Sequence, residues 1–113
     1  MHELALIQGV LESVAKTAQE NSMTKISRIR LVVGKMTAAL PASLEFCFNA
    51  LDKSSLFAEA CLEIEEVDIK GECAKCGNRF IISEFQFFCP ACKHKNISII
   101  AGRELFIDFF EGE

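Results

Sequence analysis

Two pairs of cysteines have the spacing of metal ligands. Cys73-x-x-Cys76 and Cys89-x-x-Cys92 are both Cys-x-x-Cys motifs, and twelve residues separate them. A tight turn of this kind directs two thiolates at one ion, and two such turns on a hairpin supply four ligands. Four thiolates complete a tetrahedral shell and leave no position for a substrate. The sequence therefore predicts a structural zinc ion.

Two other chemistries use the same four cysteines. Iron in a rubredoxin-like arrangement takes the same tetrahedral thiolate ligands, and the four cysteines are also enough for two disulfides. Gly77 follows the first motif and supplies the permissive backbone that such a turn favours. Lys93 holds the matching place after the second motif, so we expect the second turn to be looser.

The start of the chain argues for a reducing compartment. An acidic residue stands at position 3, and no basic segment precedes an apolar run, so the sequence predicts no secretory signal. No apolar run is long enough to span a bilayer. We therefore expect a cytoplasmic protein, in which clustered cysteines bind metal more often than they form disulfides.

The remaining cysteines and the second histidine look less specialised. Cys47 and Cys61 each stand alone within a helix or strand pattern, which favours core packing, because free cysteine is among the most buried residue types. His94 lies two residues beyond Cys92, and a solvated side chain is the expectation there.

The first three residues form a possible chelate. The α-amine of Met1, the amide nitrogen of His2 and its imidazole can close adjoining five- and six-membered rings in one plane, and Glu3 can add an amide or a carboxylate. Planar nitrogen donors suit Ni(II) and Cu(II). The alternative is that His2 is an ordinary solvated side chain.

Composition limits the class of protein. Half of the 113 residues are apolar, and ten phenylalanines provide bulky core material, so one modest domain can fold. The net charge is −4 and the pI is near 5.2. Lys and Arg are scattered apart from short clusters at 28–30 and 93–95. A binder of nucleic acid would normally present a basic face, so we expect no nucleic-acid partner.

Apolar periodicity predicts the elements. Helical spacing of apolar residues predicts two helices, the first carried by Leu4, Ile7, Leu11, Val14, Ala15 and Ala18 and the second by Leu44, Cys47, Phe48 and Leu51. Alternation of apolar residues predicts strands at 28–34, at 62–69 and at 97–109. The residues that alternate are Ile29, Leu31, Val33, Leu62, Ile64, Val67, Ile69, Leu105, Ile107 and Phe109. Pro41 fits the first turn of the second helix. The alternation slips at Glu65 and Glu66, which suggests a bulge.

These elements predict an α+β or α/β fold. Two helices pack on a small mixed sheet of about three strands, and a zinc-ribbon-like lobe is inserted between two strands. Residues 1–70 plus 97–113 form the main domain, and residues 71–96 form the zinc-binding lobe. The strand pattern after the lobe is expected to return to the main sheet.

In order and spacing the motifs resemble a known family. A start of Met1-His2-Glu3 opening an amphipathic helix, followed much later by the two cysteine pairs, is similar to the nickel-insertion accessory proteins of [NiFe]-hydrogenase maturation, the HypA/HybF family. The likeness covers the whole chain. The chain departs from the family pattern in having no glycine after Cys92 and no further histidine beyond His94.

The resemblance implies a nickel metallochaperone. Met1, His2 and Glu3 would bind Ni(II) as a transient cargo, and the four cysteines would bind structural Zn(II). The implied partners are a nickel-handling GTPase and the hydrogenase large subunit, and in some bacteria family members also serve urease. No membrane partner is implied.

Two other classes of protein are alternatives to a nickel metallochaperone. A zinc-ribbon module that binds a protein or nucleic acid with no nickel role is the alternative, and the acidic balance disfavours nucleic acid. An enzyme is not expected, because the two histidines are far apart in sequence and no catalytic triad or paired-carboxylate pattern is present.

Overall fold

Over residues 3–113, which the structure describes, the chain folds into two α-helices and two three-stranded sheets. The structure is a computed structural model. In chain order its elements are α1 (Glu3–Glu20), β1 (Ile26–Gly34), α2 (Pro41–Ala50), β2 (Cys61–Val67), β3 (Ile69–Cys73), β4 (Arg79–Ile82), β5 (Ile97–Ala101) and β6 (Leu105–Gly112). The molecule is elongated and measures 55 × 26 × 17 Å.

The main sheet is mixed, as predicted. Its strand order is β2-β1-β6, and β1 runs parallel to β2 and antiparallel to β6. A parallel pair needs a crossover connection, and α2 lies in that connection, beginning at Pro41 as expected. Among residues 3–113, neither helix is both long and apolar enough to cross a bilayer.

One face of the main sheet packs against α1 and α2. Ile29, Leu31 and Val33 alternate toward the helices and are 0–2% exposed, which confirms the predicted strand face. The other buried residues of this core are Ile26 at the start of β1 and eight residues of the helices and connections: Ile7, Val10, Val14, Ala18, Ala39, Leu44, Phe48 and Phe57. The predicted stripe of α1 is shifted at its start. Leu4 is 46% exposed, whereas Val10 is buried.

The opposite face of the main sheet carries a network of ion pairs. The basic cluster at Arg28 and Arg30 binds carboxylates on both neighbouring strands at distances of 2.7–3.5 Å, and the acidic partners are Glu63, Glu65, Asp108 and Glu111. The side chains of both arginines therefore lie among acidic groups.

The prediction of a single sheet was wrong. Strands β3, β4 and β5 form a second, antiparallel sheet in the order β4-β3-β5. Strand β5 pairs with β3 and does not return to the main sheet; only β6 does so. The shift in apolar alternation at Glu65 and Glu66 is not a bulge within one strand, so that prediction was wrong. The chain leaves the main sheet after Val67 and enters the second sheet at Ile69.

The two sheets meet where the chain crosses between them. The outward crossing is at Asp68, and the return crossing is at 102–104. At the junction the Gly34 amide donates to the Glu104 carbonyl at 2.6 Å, and the Met36 amide donates to the Gly102 carbonyl at 2.8 Å. Gly102 has φ +116°, a left-handed conformation that favours glycine. The end of β1 is thus bonded to the second crossing.

Candidate metal centre

The first cysteine turn follows directly from β3. Cys73 is the last residue of the strand, and its carbonyl accepts a hydrogen bond from the Gly77 amide at 2.9 Å. The Cys73 amide in turn donates to the Asn78 carbonyl at 2.9 Å. Gly77 has φ +74°, so the conformation that the sequence suggested is present. The turn brings Cys73 and Cys76 to one side.

The second turn has the same two backbone hydrogen bonds as the first. The Lys93 amide donates to the Cys89 carbonyl at 2.8 Å, and the Cys89 amide donates to the His94 carbonyl at 2.9 Å. Lys93 has φ +66° and therefore takes the left-handed place that Gly77 holds in the first turn. The absence of glycine does not change the hydrogen bonds; its effect is strain at Lys93.

The two turns bring four sulfur atoms together. The four Sγ atoms all lie within 4.8 Å of one another. Cys73 Sγ is 3.6 Å from Cys92 Sγ, and Cys76 Sγ is 3.6 Å from Cys89 Sγ. A tetrahedron with Zn–S bonds of about 2.3 Å has S···S edges of roughly 3.8 Å, whereas a disulfide bond measures about 2.05 Å. The spacing fits one tetrahedral ion and not two disulfides.

The four ligands differ in exposure. Cys73 and Cys89, which begin the two turns, are 2% and 0% exposed. Cys76 is exposed, and Cys92 is half-buried. Each turn thus places its first thiol in the small core of the lobe and its second thiol toward the surface.

Hydrogen bonds and the neighbouring thiols set the acidity of the cluster. The backbone N–H of Cys76 is the main cause that lowers the pKa of Cys73. Burial would raise the pKa of Cys89, but the backbone N–H groups of Cys92 and the residue before it outweigh burial, and the pKa is about 6. The Asn78 N–H is the largest single influence on Cys76 and lowers its pKa, but the neighbouring thiols, Cys89 first, together with burial outweigh it and raise the pKa to about 11. Closely packed thiols share protons in this way until a cation displaces them.

The other cysteines and His94 lie outside this cluster. Cys47 is half-buried and packs against the core, in line with the prediction. Cys61 is exposed at the first residue of β2, so the prediction that it packs in the core was wrong. Its neighbour Leu62 takes the inward position instead. The side chain of His94 is exposed, as expected.

The structure describes one of the three predicted nickel ligands. Met1 and His2 lie outside the described residues. Glu3 is the first residue of α1 and supplies the acidic group of its first turn. The N–H groups of the first helical turn have no acceptor within the helix, so the Glu3 N–H donates no helical hydrogen bond.

Sequence reasoning missed the junction between the sheets. Gly34 and Gly102 pack backbone to backbone there, and a groove beside them is lined by segments around residues 35–40, 66–69 and 81–85. The signal at Gly34 was present, since a glycine ends an otherwise buried strand. The groove had no sequence signal, because distant segments form it.

Comparison with known proteins decides the family. The family model described as "Hydrogenase/urease nickel incorporation, metallochaperone, hypA" matches residues 1–112. The chain belongs to the HypA family. Curated relatives named "Hydrogenase maturation factor HypA" include a protein of Moorella thermoacetica, 41% identical over the full length of both chains, and one of Pelodictyon phaeoclathratiforme, 36% identical over 95% of this chain and 92% of its own.

Solved HypA structures have the same fold. The Ni metallochaperone HypA from Helicobacter pylori aligns with a TM-score of 0.65 at 24% identity, over 99% of this chain and 97% of its own. A second HypA solution structure aligns with a TM-score of 0.71 at 23% identity, over 100% of this chain and 97% of its own. At these identities the likeness establishes the fold alone.

Proposed function

We propose that this chain is a nickel metallochaperone, not an enzyme, that delivers Ni(II) during [NiFe]-hydrogenase maturation in the cytoplasm. The observation that carries the proposal is the match of the whole chain to a family described as a nickel-incorporation metallochaperone. Its proposed partners are a nickel-handling GTPase and the hydrogenase large subunit, with urease accessory proteins as a further class. The description of the family, which includes urease, supports that last class.

The proposed nickel site consists of Met1, His2 and Glu3. A planar complex requires the metal to replace protons on backbone amides. The Glu3 amide stands at the first position of α1, so losing its proton costs no helical hydrogen bond. A site at a chain end also exchanges its metal readily, which suits a cargo that must be passed on.

The proposed role of the cysteine cluster is to hold a structural zinc ion. The fit of four sulfurs to a tetrahedron supports a metal, and four thiolates leave no place for a substrate. We further propose that residues 71–96 form a zinc-dependent lobe and that residues 1–70 plus 97–113 form the nickel-binding domain. Metal analysis of the purified protein tests the ion: one zinc per chain is expected, and a red iron-containing protein would exclude zinc.

Nickel titration tests the function. Calorimetry with the untagged protein is expected to show tight binding of one Ni(II), and His2→Ala is expected to abolish it without altering the circular dichroism spectrum. His94→Ala is the matched control, because it removes the other histidine of the chain, which is exposed within the zinc lobe. Equal nickel binding by the His2 variant would remove His2 from the site, whereas a parent protein that binds no nickel would favour a zinc-ribbon interaction module with no nickel role.

A further inference from the structure

A groove of about 460 Å³ lies at the junction of the two sheets. One wall is the segment that follows β1 and includes Leu40. The other wall is the end of β4 and the turn after it, from Ile81 to Phe85. Ile69, the first residue of the second sheet, is also part of the lining. Both structural units of the molecule therefore contribute to one concave surface.

Large apolar side chains project around this groove without being buried. Leu40 is 59% exposed, Ile81 is 58% exposed and Phe85 is 64% exposed. Single exposed apolar residues are common, but three that line one groove form a patch of the kind that marks an interaction surface. Leu40 comes from the main domain, and Ile81 and Phe85 come from the lobe.

The backbone holds these side chains in place at a cost. Ala38, Glu84 and Phe85 all have φ between +55° and +62°, although none of them is glycine, and all three line the groove. Left-handed conformations are unfavourable for residues with a β-carbon and concentrate at functional sites. The two successive left-handed residues, Glu84 and Phe85, turn the Phe85 side chain outward. Among the aromatic residues described, its ring contacts only that of Phe87, at a centroid distance of 6.1 Å.

The rim of the groove is acidic. Glu66, Asp68 and Glu84 line it together with one cation, Lys35. Lys35 Nζ lies 2.7 Å from Asp68 Oδ1, so that cation is engaged. Within residues 3–113, no Lys, Arg or His side chain forms an ion pair with Glu66 or Glu84. The apolar walls are thus bordered by carboxylates that can receive Lys or Arg from another molecule.

We propose that this groove docks a segment of a partner protein that carries two or three large apolar side chains flanked by Lys or Arg. The apolar side chains would fill the space between Leu40, Ile81 and Phe85, and the basic residues would meet Glu66 and Glu84. A second copy of the chain is a poorer occupant, because each copy has a net charge of −4. A segment bound there contacts both sheets and fixes their relative orientation.

Selection from a random peptide library tests the proposal. The zinc-loaded full chain is used as bait, and short displayed peptides are enriched, synthesised with a fluorophore and measured by fluorescence polarisation. Phe85→Ser is expected to weaken binding roughly tenfold or more, as loss of an aromatic anchor does. Glu84→Lys is expected to weaken it roughly three- to tenfold, with a smaller loss as salt rises from about 50 to about 300 mM.

Matched controls separate the groove from general surface effects. Phe46→Ser removes an exposed phenylalanine of α2, and Glu12→Lys reverses an exposed charge on α1; neither residue lines the groove, so both variants are expected to bind like the parent. Zinc content and circular dichroism of each variant report folding, which should not change because the substituted side chains are mostly exposed.

Four results would overturn the proposal. The first two are failure to enrich any peptide and enrichment of peptides without Lys or Arg. The third is equal peptide affinity of the parent and Phe85→Ser, and the fourth is a loss of peptide affinity in Phe46→Ser as large as that in Phe85→Ser. Two further measurements assign the groove to another occupant. Sedimentation showing a parent dimer that Phe85→Ser dissociates would assign it to a second copy, and binding to neutral phosphatidylcholine vesicles that Phe85→Ser abolishes would assign it to a lipid surface.

Discussion

The backbone of Gly34 lies directly against the backbone of Gly102. A β-carbon built on Gly34 would collide with the carbonyl group of Gly102 and the amide of Arg103. Gly34 has φ −82°, so it is required for space and not for an unusual conformation. The contact joins the end of β1 to the return crossing from the second sheet.

Replacing Gly34 by alanine should destabilise the protein. The new methyl group can be accommodated only by shifting backbone, and overpacking of this kind costs about 1–3 kcal/mol. Gly9→Ala in α1 is the control, because a β-carbon there meets nothing within 4 Å and removing a mid-helix glycine gains about 1 kcal/mol. Urea denaturation should move the two midpoints in opposite directions. Equal stability of Gly34→Ala and the parent would show that the junction is loose.

The conformations of Gly77 and Lys93 predict opposite effects on zinc retention. Lys93→Gly removes left-handed strain of about 1–2 kcal/mol, whereas Gly77→Ala introduces it without a steric clash, because a β-carbon there meets nothing within 4 Å. A chromogenic chelator should therefore extract zinc more slowly from Lys93→Gly and faster from Gly77→Ala. Identical extraction rates would mean that turn strain is not coupled to metal binding.

Loss of one buried ligand should unfold the lobe alone. With Cys73→Ser the four-thiolate shell is incomplete, and the lobe has little core of its own to replace the metal. Hydrogen exchange is expected to rise across residues 71–96 while α1 keeps its protection. Cys61→Ser is the control, since that thiol is exposed and outside the cluster. Uniform protection in Cys73→Ser would contradict a zinc-dependent lobe.

The two metals should respond differently to acid. Without metal the pKa of Cys89 is lowered to about 6, so protons compete strongly with zinc for this thiolate only as pH falls through about 6. At the proposed N-terminal site, nickel would compete with protons on an amine of reference pKa about 7.7–8.0 and an imidazole of reference pKa about 6.5. Between about pH 7.5 and 6, nickel affinity should fall steeply while zinc stays bound. Metal analysis after dialysis at each pH checks this. Loss of zinc in parallel with nickel would contradict the prediction.

Local patterns predicted the cysteine cluster and most elements, but not the assignment of strands to sheets. The Cys-x-x-Cys spacing constrains ligands within single turns, so Cys73 and Cys76 were identifiable without the fold. The alternation at Ile97–Ala101 identified a strand, yet alternation does not specify which strand is its neighbour. Cys61 was misplaced for a related reason, because neighbouring residues of a strand point to opposite faces.

The groove shows the limit of prediction more clearly. Leu40, Ile81 and Phe85 are far apart in sequence, and each is read as core material when considered by its type alone. Only the packing of the second sheet beside the end of β1 leaves them exposed and adjacent. Surfaces assembled from distant segments have no local periodicity from which they can be predicted.

The proposed nickel site depends on the free amine at the start of the chain. The most direct measurement compares Ni(II) calorimetry of the untagged protein with that of a form carrying one added glycine before Met1, each in two buffers of different ionisation heat. The added residue turns the primary amine of Met1 into an amide, so we expect nickel affinity to fall as far as it does in His2→Ala, and the parent alone to release protons on binding. Undiminished affinity in the extended form, or no proton release by the parent, would place nickel elsewhere in the chain.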